Sequence, residues 1–234
     1  MNNNLRRIVY KSKTVGNTLG YLASVVQFKL LSFYKDEKIV NLLKSVKDEV
    51  DFAFYPYEAY TVYSIARSQS RLEGDMAEVG VYQGGSAKII CEAKNQRALH
   101  LFDTFAGLPK VSEKDMHFGV KYWKDGEFSN TSEGAVRDYL SRYKNVFFHK
   151  GRFPETANPV KDTKFSFVHL DVDLYQSTLD CLEFFYPHLI RGGVILTHDY
   201  HTNGVQSAFK EYFQNKSIPM IELTGSQCLV INTE

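Results

Sequence analysis

The chain has 234 residues, with 28 Lys and Arg against 27 Asp and Glu, a formal net charge of +1 and 44% hydrophobic residues. That length buries the core of one α/β domain with an extension, and the charge balance excludes an electrostatic footprint for nucleic acid or an anionic membrane surface. The three cysteines, Cys91, Cys181 and Cys228, form no Cys-x-x-Cys pair and read as small buried hydrophobes in a reducing compartment.

In chain order, Met1 to Arg7 precedes an apolar segment from Leu19 to Phe33, which Gln27 and Lys29 interrupt and no small-residue cleavage site follows. The expectation is neither a signal peptide nor a membrane span, and a cytoplasmic protein. Helices are predicted at Leu19–Tyr34 and Asp36–Val50, the second from Ile39, Leu42, Leu43 and Val46 at helical spacing. Residues 1–55 thus read as an N-terminal helical extension, with cap, lid and contact in a homo-oligomer all open as roles. Tyr57 to Ser70 is a further amphipathic helix, ended by the Gly74-Asp75 turn.

Asp75 to Val79 reads as a short buried strand, followed by a turn carrying Gly80, Gly84 and Gly85 and a helix from Ser86 toward Lys94. Glycines let backbone approach a ligand closely, and the helix start offers unpaired N–H groups. The turn is a poor Gly-x-Gly-x-x-Gly dinucleotide fingerprint. A carboxylate at the strand tip, Glu78, instead suits the ammonium of S-adenosylmethionine.

A second strand, Ala98–Phe102, delivers Asp103, 25 positions after Glu78. A doubly wound fold places its ribose-binding carboxylate at about 20, so Asp103 is read as the ribose contact. Lys110 to Thr131 has no clear period but is rich in aromatics, and reads as a lid over the substrate. A helix follows over Ser132–Tyr143, then a third strand at Val146–His149, whose following loop makes Gly151 a candidate adenine contact. The 17 Phe and 15 Tyr suit a pocket that stacks flat or sugar-like ligands as well as a Phe-rich core.

The fourth strand, Phe165–Leu170, is a continuous apolar run, as a buried parallel strand requires. It delivers Asp171 and Asp173. The spacing of Asp173 to Gln176 predicts a helix N-cap with a capping box, whereas Asp171 has no such structural use and is read as a chemical or metal-binding group. Gly192-Gly193 is predicted to turn the chain into a fifth strand, Val194–Leu196, which ends at His198 and Asp199 beside Asp171. Such a group can hold a divalent metal or act as acid and base on a hydroxyl. A helix over Gly204–Asn215 and a hairpin of Met220–Leu223 with Cys228–Asn232 close the chain. The expected fold class is therefore α/β and Rossmann-like, with a mostly parallel sheet, helices on both faces and a terminal antiparallel hairpin of the kind that usually ends a class I methyltransferase.

The motifs Ala77-Glu78-Val79-Gly80-Val81-Tyr82-Gln83-Gly84-Gly85-Ser86, Leu101-Phe102-Asp103-Thr104-Phe105-Ala106-Gly107-Leu108-Pro109, Thr131-Ser132, Lys150-Gly151-Arg152-Phe153-Pro154-Glu155-Thr156 and His169-Leu170-Asp171-Val172-Asp173-Leu174-Tyr175-Gln176-Ser177-Thr178 occur in order, with Tyr186-Pro187 and Gly192-Gly193 after them. Together they resemble the macrocin O-methyltransferase family, metal-dependent sugar O-methyltransferases of antibiotic tailoring. The resemblance runs from about Asp75 to Phe213.

It implies S-adenosylmethionine as methyl donor, a hydroxyl of a sugar or glycosylated small molecule as acceptor, and residues 56–234 as the methyltransferase domain. The cofactor set is then Glu78, Gly80, Tyr82, Gly84 and Ser86 on the glycine turn, with Asp103, Thr104, Gly151 and Asp171. The family's magnesium lies between the aspartate matching Asp171 and an Asp-Asp pair, which here reads His198-Asp199. The metal set is Asp171, His198 and Asp199, and Asp171 and His198 are the catalytic candidates. An imidazole weakens the case for magnesium and leaves room for manganese, another transition ion, or no metal with His198 or His201 as base. Two rival readings are a nucleotide-dependent Rossmann oxidoreductase and a non-catalytic protein that binds S-adenosylmethionine.

Overall fold

The computed structural model describes residues 13–234. Three helices come first: α1 (Lys13–Tyr34), α2 (Glu37–Glu49), begun by the Asp36 side chain accepting from Lys38 N, and α3 (Pro56–Gln69). The alternating part follows as β1 (Asp75–Val79), α4 (Gly85–Ala93), β2 (Leu99–Asp103), the short strands β3 (Met116–His117) and β4 (Val120–Lys121), α5 (Glu133–Tyr139) and β5 (Val146–Lys150). The second half holds β6 (Phe165–Leu170), α6 (Tyr175–Phe185), β7 (Leu189–Thr197), α7 (Asn203–Phe213), β8 (Met220–Glu222) and β9 (Cys228–Ile231).

Seven strands form one sheet in the order β5-β2-β1-β6-β7-β9-β8. The first five are parallel, and β9 runs antiparallel to both β7 and β8. The predicted terminal hairpin is thus present. The strand order reverses between β1 and β6, and a doubly wound sheet opens its ligand crevice outside the carboxyl ends of the strands at such a point.

Every residue of β6 is buried, because both faces of the sheet are covered. On one face Met76, Leu99, Leu101 and Phe167 pack with Ile89 and Ile90 of α4; on the other Ala77, Phe102, Phe165 and Val168 pack with Phe185 and Phe209 of α6 and α7. Leu31, Val40, Leu43 and Val46 of α1 and α2 belong to the first of these clusters. The leading helices are therefore packed into the sheet's own core. No helix among the described residues is long and apolar enough to cross a membrane.

Four expectations are corrected. Gly192-Gly193 does not precede the fifth strand but lies inside it: β7 starts at Leu189, and Gly192 N donates to Asn232 O at 2.7 Å while Asn232 N donates back to Gly193 O at 2.9 Å. The register between β6 and β7 shifts there, so the glycines absorb a bulge. The segment from Lys110 to Thr131 is not structureless, since it carries a 3-10 turn at Glu113–Asp115 and the β3–β4 ladder. The helix predicted over Ser132–Tyr143 stops at Tyr139, with Ser132 as its N-cap. Asp173 caps nothing: α6 begins at Tyr175 behind Leu174 with no side-chain cap, and the N–H of Tyr175 is taken by Asp115 Oδ1 at 2.7 Å from the lid.

Candidate active site

The glycine turn is shaped by one carboxylate and one tight packing contact. Asp103 Oδ2 accepts from Val81 N at 2.7 Å and Tyr82 N at 2.8 Å, and Oδ1 accepts from Phe105 N at 2.6 Å. Gly80 sits at φ +86°, where a Cβ would come 1.9 Å from Asp171 O, so only glycine lets the tips of β1 and β6 close. Gly84, at φ +85°, begins α4 and seats it against Val136 of α5.

Two neighbouring segments brace this turn. Asp51 N donates to Gln83 Oε1 at 2.8 Å, Gln83 Nε2 donates to Asn130 O at 3.0 Å, and the Tyr82 hydroxyl lies 2.7 Å from Asn130 Oδ1. The chain before α3 and the end of the lid thus meet on the loop.

Beside the turn, the β6 and β7 ladders continue past the strand ends: Asp171 N donates to Val79 O at 2.9 Å and His198 N to Leu170 O at 2.8 Å. This carries their side chains to one place. His198 Nδ1 lies 3.2 Å from Asp171 Oδ1 and 3.4 Å from Asp199 Oδ2, and Asp199 Oδ1 lies 3.7 Å from His201 Nδ1. Asp173 and Asp199 both hold left-handed backbone, at φ +60° and +52°, a conformation that aspartate tolerates better than most residues and that recurs at functional sites.

Two residues that the sequence reading passed over complete the cluster. The ring of Phe54 stacks on the His198 imidazole, with centroids 4.1 Å apart and planes 4° apart. Glu58 Oε2 lies 3.6 Å from His198 Nε2, while the same side chain accepts from Tyr55 N at 2.9 Å and Ser226 N at 2.6 Å. As the third residue of a helix begun at Tyr55-Pro56, Glu58 carries only the signature of a capping box. Nothing in the local pattern points to its second role.

Charge is distributed unevenly across the group. Burial opposes the His198 imidazolium, but Asp199 and Asp171 outweigh it and hold its pKa well above the ordinary histidine value. Burial acts against Glu58 too, yet His198 and the Ser226 and Tyr55 amides bring its pKa down to about 2. Burial likewise opposes the Asp199 carboxylate, but His198 keeps it strongly acidic. Asp173 is pushed the other way, first by burial and then by the charges of Asp199 and Asp171. Both causes favour its neutral carboxyl over the carboxylate.

Most of the expected site residues line one cavity of ≈ 2300 Å³. Gly80, Tyr82 and Ser86 reach it from the turn, Asp103, Thr104 and Gly151 from the β2 and β5 ends, and Asp171, His198 and Asp199 from the β6 and β7 ends. Leu19, Ser24 and Phe28 of α1 and Phe118, Tyr122 and Trp123 of the 110–131 segment line it as well. Glu78 and Gly84 are not on its lining. Glu78 is fully buried behind the turn, where His169 Nδ1 lies 2.8 Å from its Oε1 and burial raises its pKa.

A parallel sheet with this order, a glycine turn at its switch point and a carboxylate–imidazole cluster at the adjoining strand ends define the class I O-methyltransferase fold. The structure matches the O-methyltransferase NovP with a TM-score of 0.67 at 21% identity, over 90% of this chain and 100% of that one. It matches the calicheamicin methyltransferase CalS11 with a TM-score of 0.62 at 14% identity, over 94% and 93%. Residues 62–225 match the macrocin-O-methyltransferase (TylF) family, and the chain belongs to it.

Among its relatives, the 8-demethyl-8-(2,3-dimethoxy-alpha-L-rhamnosyl)-tetracenomycin-C 4'-O-methyltransferase of Streptomyces olivaceus is 29% identical over 167 residues, 65% of this chain and 64% of that protein. The mycinamicin III 3''-O-methyltransferase of Micromonospora griseorubida is 27% identical over 182 residues, 68% and 72% of the two. The chain thus spans a little under two thirds of the tetracenomycin relative's length.

Proposed function

We propose that this protein transfers the methyl group of S-adenosylmethionine to a hydroxyl of a sugar or glycosylated small molecule. The observation that carries this reading is the convergence of the glycine turn and the Asp171–His198–Asp199 group on one cavity of ≈ 2300 Å³. Membership of the family supports the donor. The rhamnosyl-tetracenomycin relative, named for a sugar-bearing substrate, supports the acceptor class. Residues 1–55 are read as a helical extension, whose described part from Lys13 reaches the cavity through Leu19, Ser24 and Phe28, with residues 56–234 as the methyltransferase domain. Three buried free thiols are in keeping with a cytoplasmic setting.

In the transfer, the acceptor oxygen forms a bond to the methyl carbon as the carbon–sulfur bond breaks, leaving S-adenosylhomocysteine, and the hydroxyl proton passes to a base. The turn would hold the donor: Gly80 leaves bare backbone for it, and Asp103, which braces the loop through Val81 N, Tyr82 N and Phe105 N, would take the ribose. Glu78 supports the turn from behind. Asp171, half-buried and facing the cavity, accepts the proton, because His198 is already protonated beside two aspartates. Holding the oxygen in line with the methyl supplies several kcal/mol through orientation alone.

A divalent cation fits the same group. Asp171, His198 and Asp199 each offer a ligand atom within 4.8 Å of the others. Bound there, the ion would lower the pKa of the acceptor hydroxyl.

The test is a screen of nucleotide-activated deoxyhexoses and aromatic glycosides with S-adenosylmethionine, read by mass spectrometry for a singly methylated product and S-adenosylhomocysteine. Methylation of a sugar hydroxyl, lost in Asp171→Asn, is the expected result. Methylation confined to phenolic hydroxyls of an aglycone would overturn the acceptor class. Binding of S-adenosylmethionine with no transfer to any acceptor would favour the non-catalytic reading.

A further inference from the structure

The two edges of the His198 ring face different partners. Nδ1 points between Asp171 and Asp199, at 3.2 and 3.4 Å, while Nε2, buried and without a hydrogen bond, faces Glu58 Oε2 at 3.6 Å. A neutral imidazole carries one N–H and one lone pair, and a carboxylate beside one nitrogen places the N–H there. A cation at the point the two aspartates share would take the place of the proton on Nδ1, and Glu58 beside Nε2 would keep the remaining N–H on that side.

The ring is also held against rotation. Phe54 lies flat on it at 4.1 Å, and Lys47 Nζ donates to Phe54 O at 3.0 Å, fixing that strand of backbone. Glu58 is immobilised by Tyr55 N and Ser226 N, and Gln227 Nε2 donates to its carbonyl at 3.3 Å. Phe54 and Glu58 both precede residue 62, where the match to the family begins.

We propose that His198 is a metal ligand through Nδ1, that Glu58 is the carboxylate orienting it, and that the centre takes a first-row transition ion such as Mn²⁺ ahead of Mg²⁺. The inference deepens the methyltransferase reading and rests on it for a reason to hold a cation. Mg²⁺ demands near-octahedral oxygen ligands, whereas an imidazole nitrogen beside two carboxylates suits ions that accept mixed donors. Glu58 is a positioning residue, since it meets the ion only through His198.

Mn²⁺ added to the ion-free protein tests this by electron spin-echo spectroscopy, with Mg²⁺ as competitor and S-adenosylhomocysteine binding followed separately by calorimetry. Coupling of Mn²⁺ to a ring nitrogen is expected, together with displacement by Mg²⁺ only in large excess. Glu58→Gln is expected to weaken Mn²⁺ binding about 10–100-fold while the nitrogen coupling survives at saturation. His198→Asp should bind Mn²⁺ without nitrogen coupling and with a narrower preference over Mg²⁺. Mn²⁺ bound to the wild-type protein with no nitrogen coupling, or equal competition by Mg²⁺, overturns the proposal whether or not the variants fold. Nitrogen coupling in a protein that fails to bind S-adenosylhomocysteine leaves the ligand assignment standing and overturns the methyltransferase reading.

Discussion

Phe54 and His198 are 144 positions apart in sequence, yet their rings lie parallel at 4.1 Å. Phe54 is 3% exposed and itself stacks on Phe52, at 4.7 Å. Phe52 in turn fills the space where a Cβ on Gly85 would stand, 2.6 Å from its Cδ2. One short strap before α3 therefore touches both the start of α4 and the His198 imidazole. Phe54→Leu removes the aromatic stack but keeps an apolar filling, so it should cost about 1–2 kcal/mol in urea unfolding. A stability unchanged from wild type would show that the stack is incidental.

Gly80 is the position where the site is least tolerant. Alanine there meets Asp171 O at 1.9 Å on a backbone with φ +86°, so β1 and β6 must part where the ligand crevice opens. Gly80→Ala should lose about 3 kcal/mol or more and abolish S-adenosylhomocysteine binding. Equilibrium unfolding and calorimetry on the same sample check both.

Asp103 has work to do without any ligand, because its carboxylate already takes three backbone N–H groups. Asp103→Ala should therefore lower the melting temperature in the absence of cofactor as well as weaken cofactor binding. Lost binding at an unchanged melting temperature would assign Asp103 to the ribose alone.

The raised pKa of Asp173, set by burial and by the charges of Asp199 and Asp171, gives a sharper test. An asparagine reproduces a neutral carboxyl that donates to Asp199 and also tolerates a left-handed backbone. Asp173→Asn should leave the stability of the ion-free protein within about 0.5 kcal/mol of wild type, and Asp173→Ala should not. Thermal melts at neutral pH separate the two.

Glu58 sets an acid limit. Its pKa falls from the ordinary 4.5 to about 2 on folding, so the stability it contributes is fully present above about pH 4.5 and drains as the pH falls toward 2. The wild-type advantage over Glu58→Gln should shrink by about 3 kcal/mol across that interval. A difference independent of pH would mean that the Glu58 charge contributes nothing.

Much of this architecture was legible in the sequence, because the strands are short apolar runs separated by glycine turns and their order follows from βαβ chirality. The placement of Asp171, His198 and Asp199 followed from the same rule, since each stands just past a strand of the parallel sheet. Glu58 and Phe54 were not legible: they precede the sheet and reach His198 only through the fold of the strap. Asp173 was misread because a carboxylate three residues before Gln176 looks like a cap, whereas burial beside Asp199 decides its role. Local spacing reports local partners, and these three residues act across long loops.

The central claim is that the glycine turn and the strand ends beside it hold S-adenosylmethionine. Calorimetric titration of the purified protein with S-adenosylhomocysteine tests it most directly. The account predicts one site per chain, lost in Gly80→Ala and retained in Asp173→Asn; no heat of binding in the folded wild-type protein would contradict it.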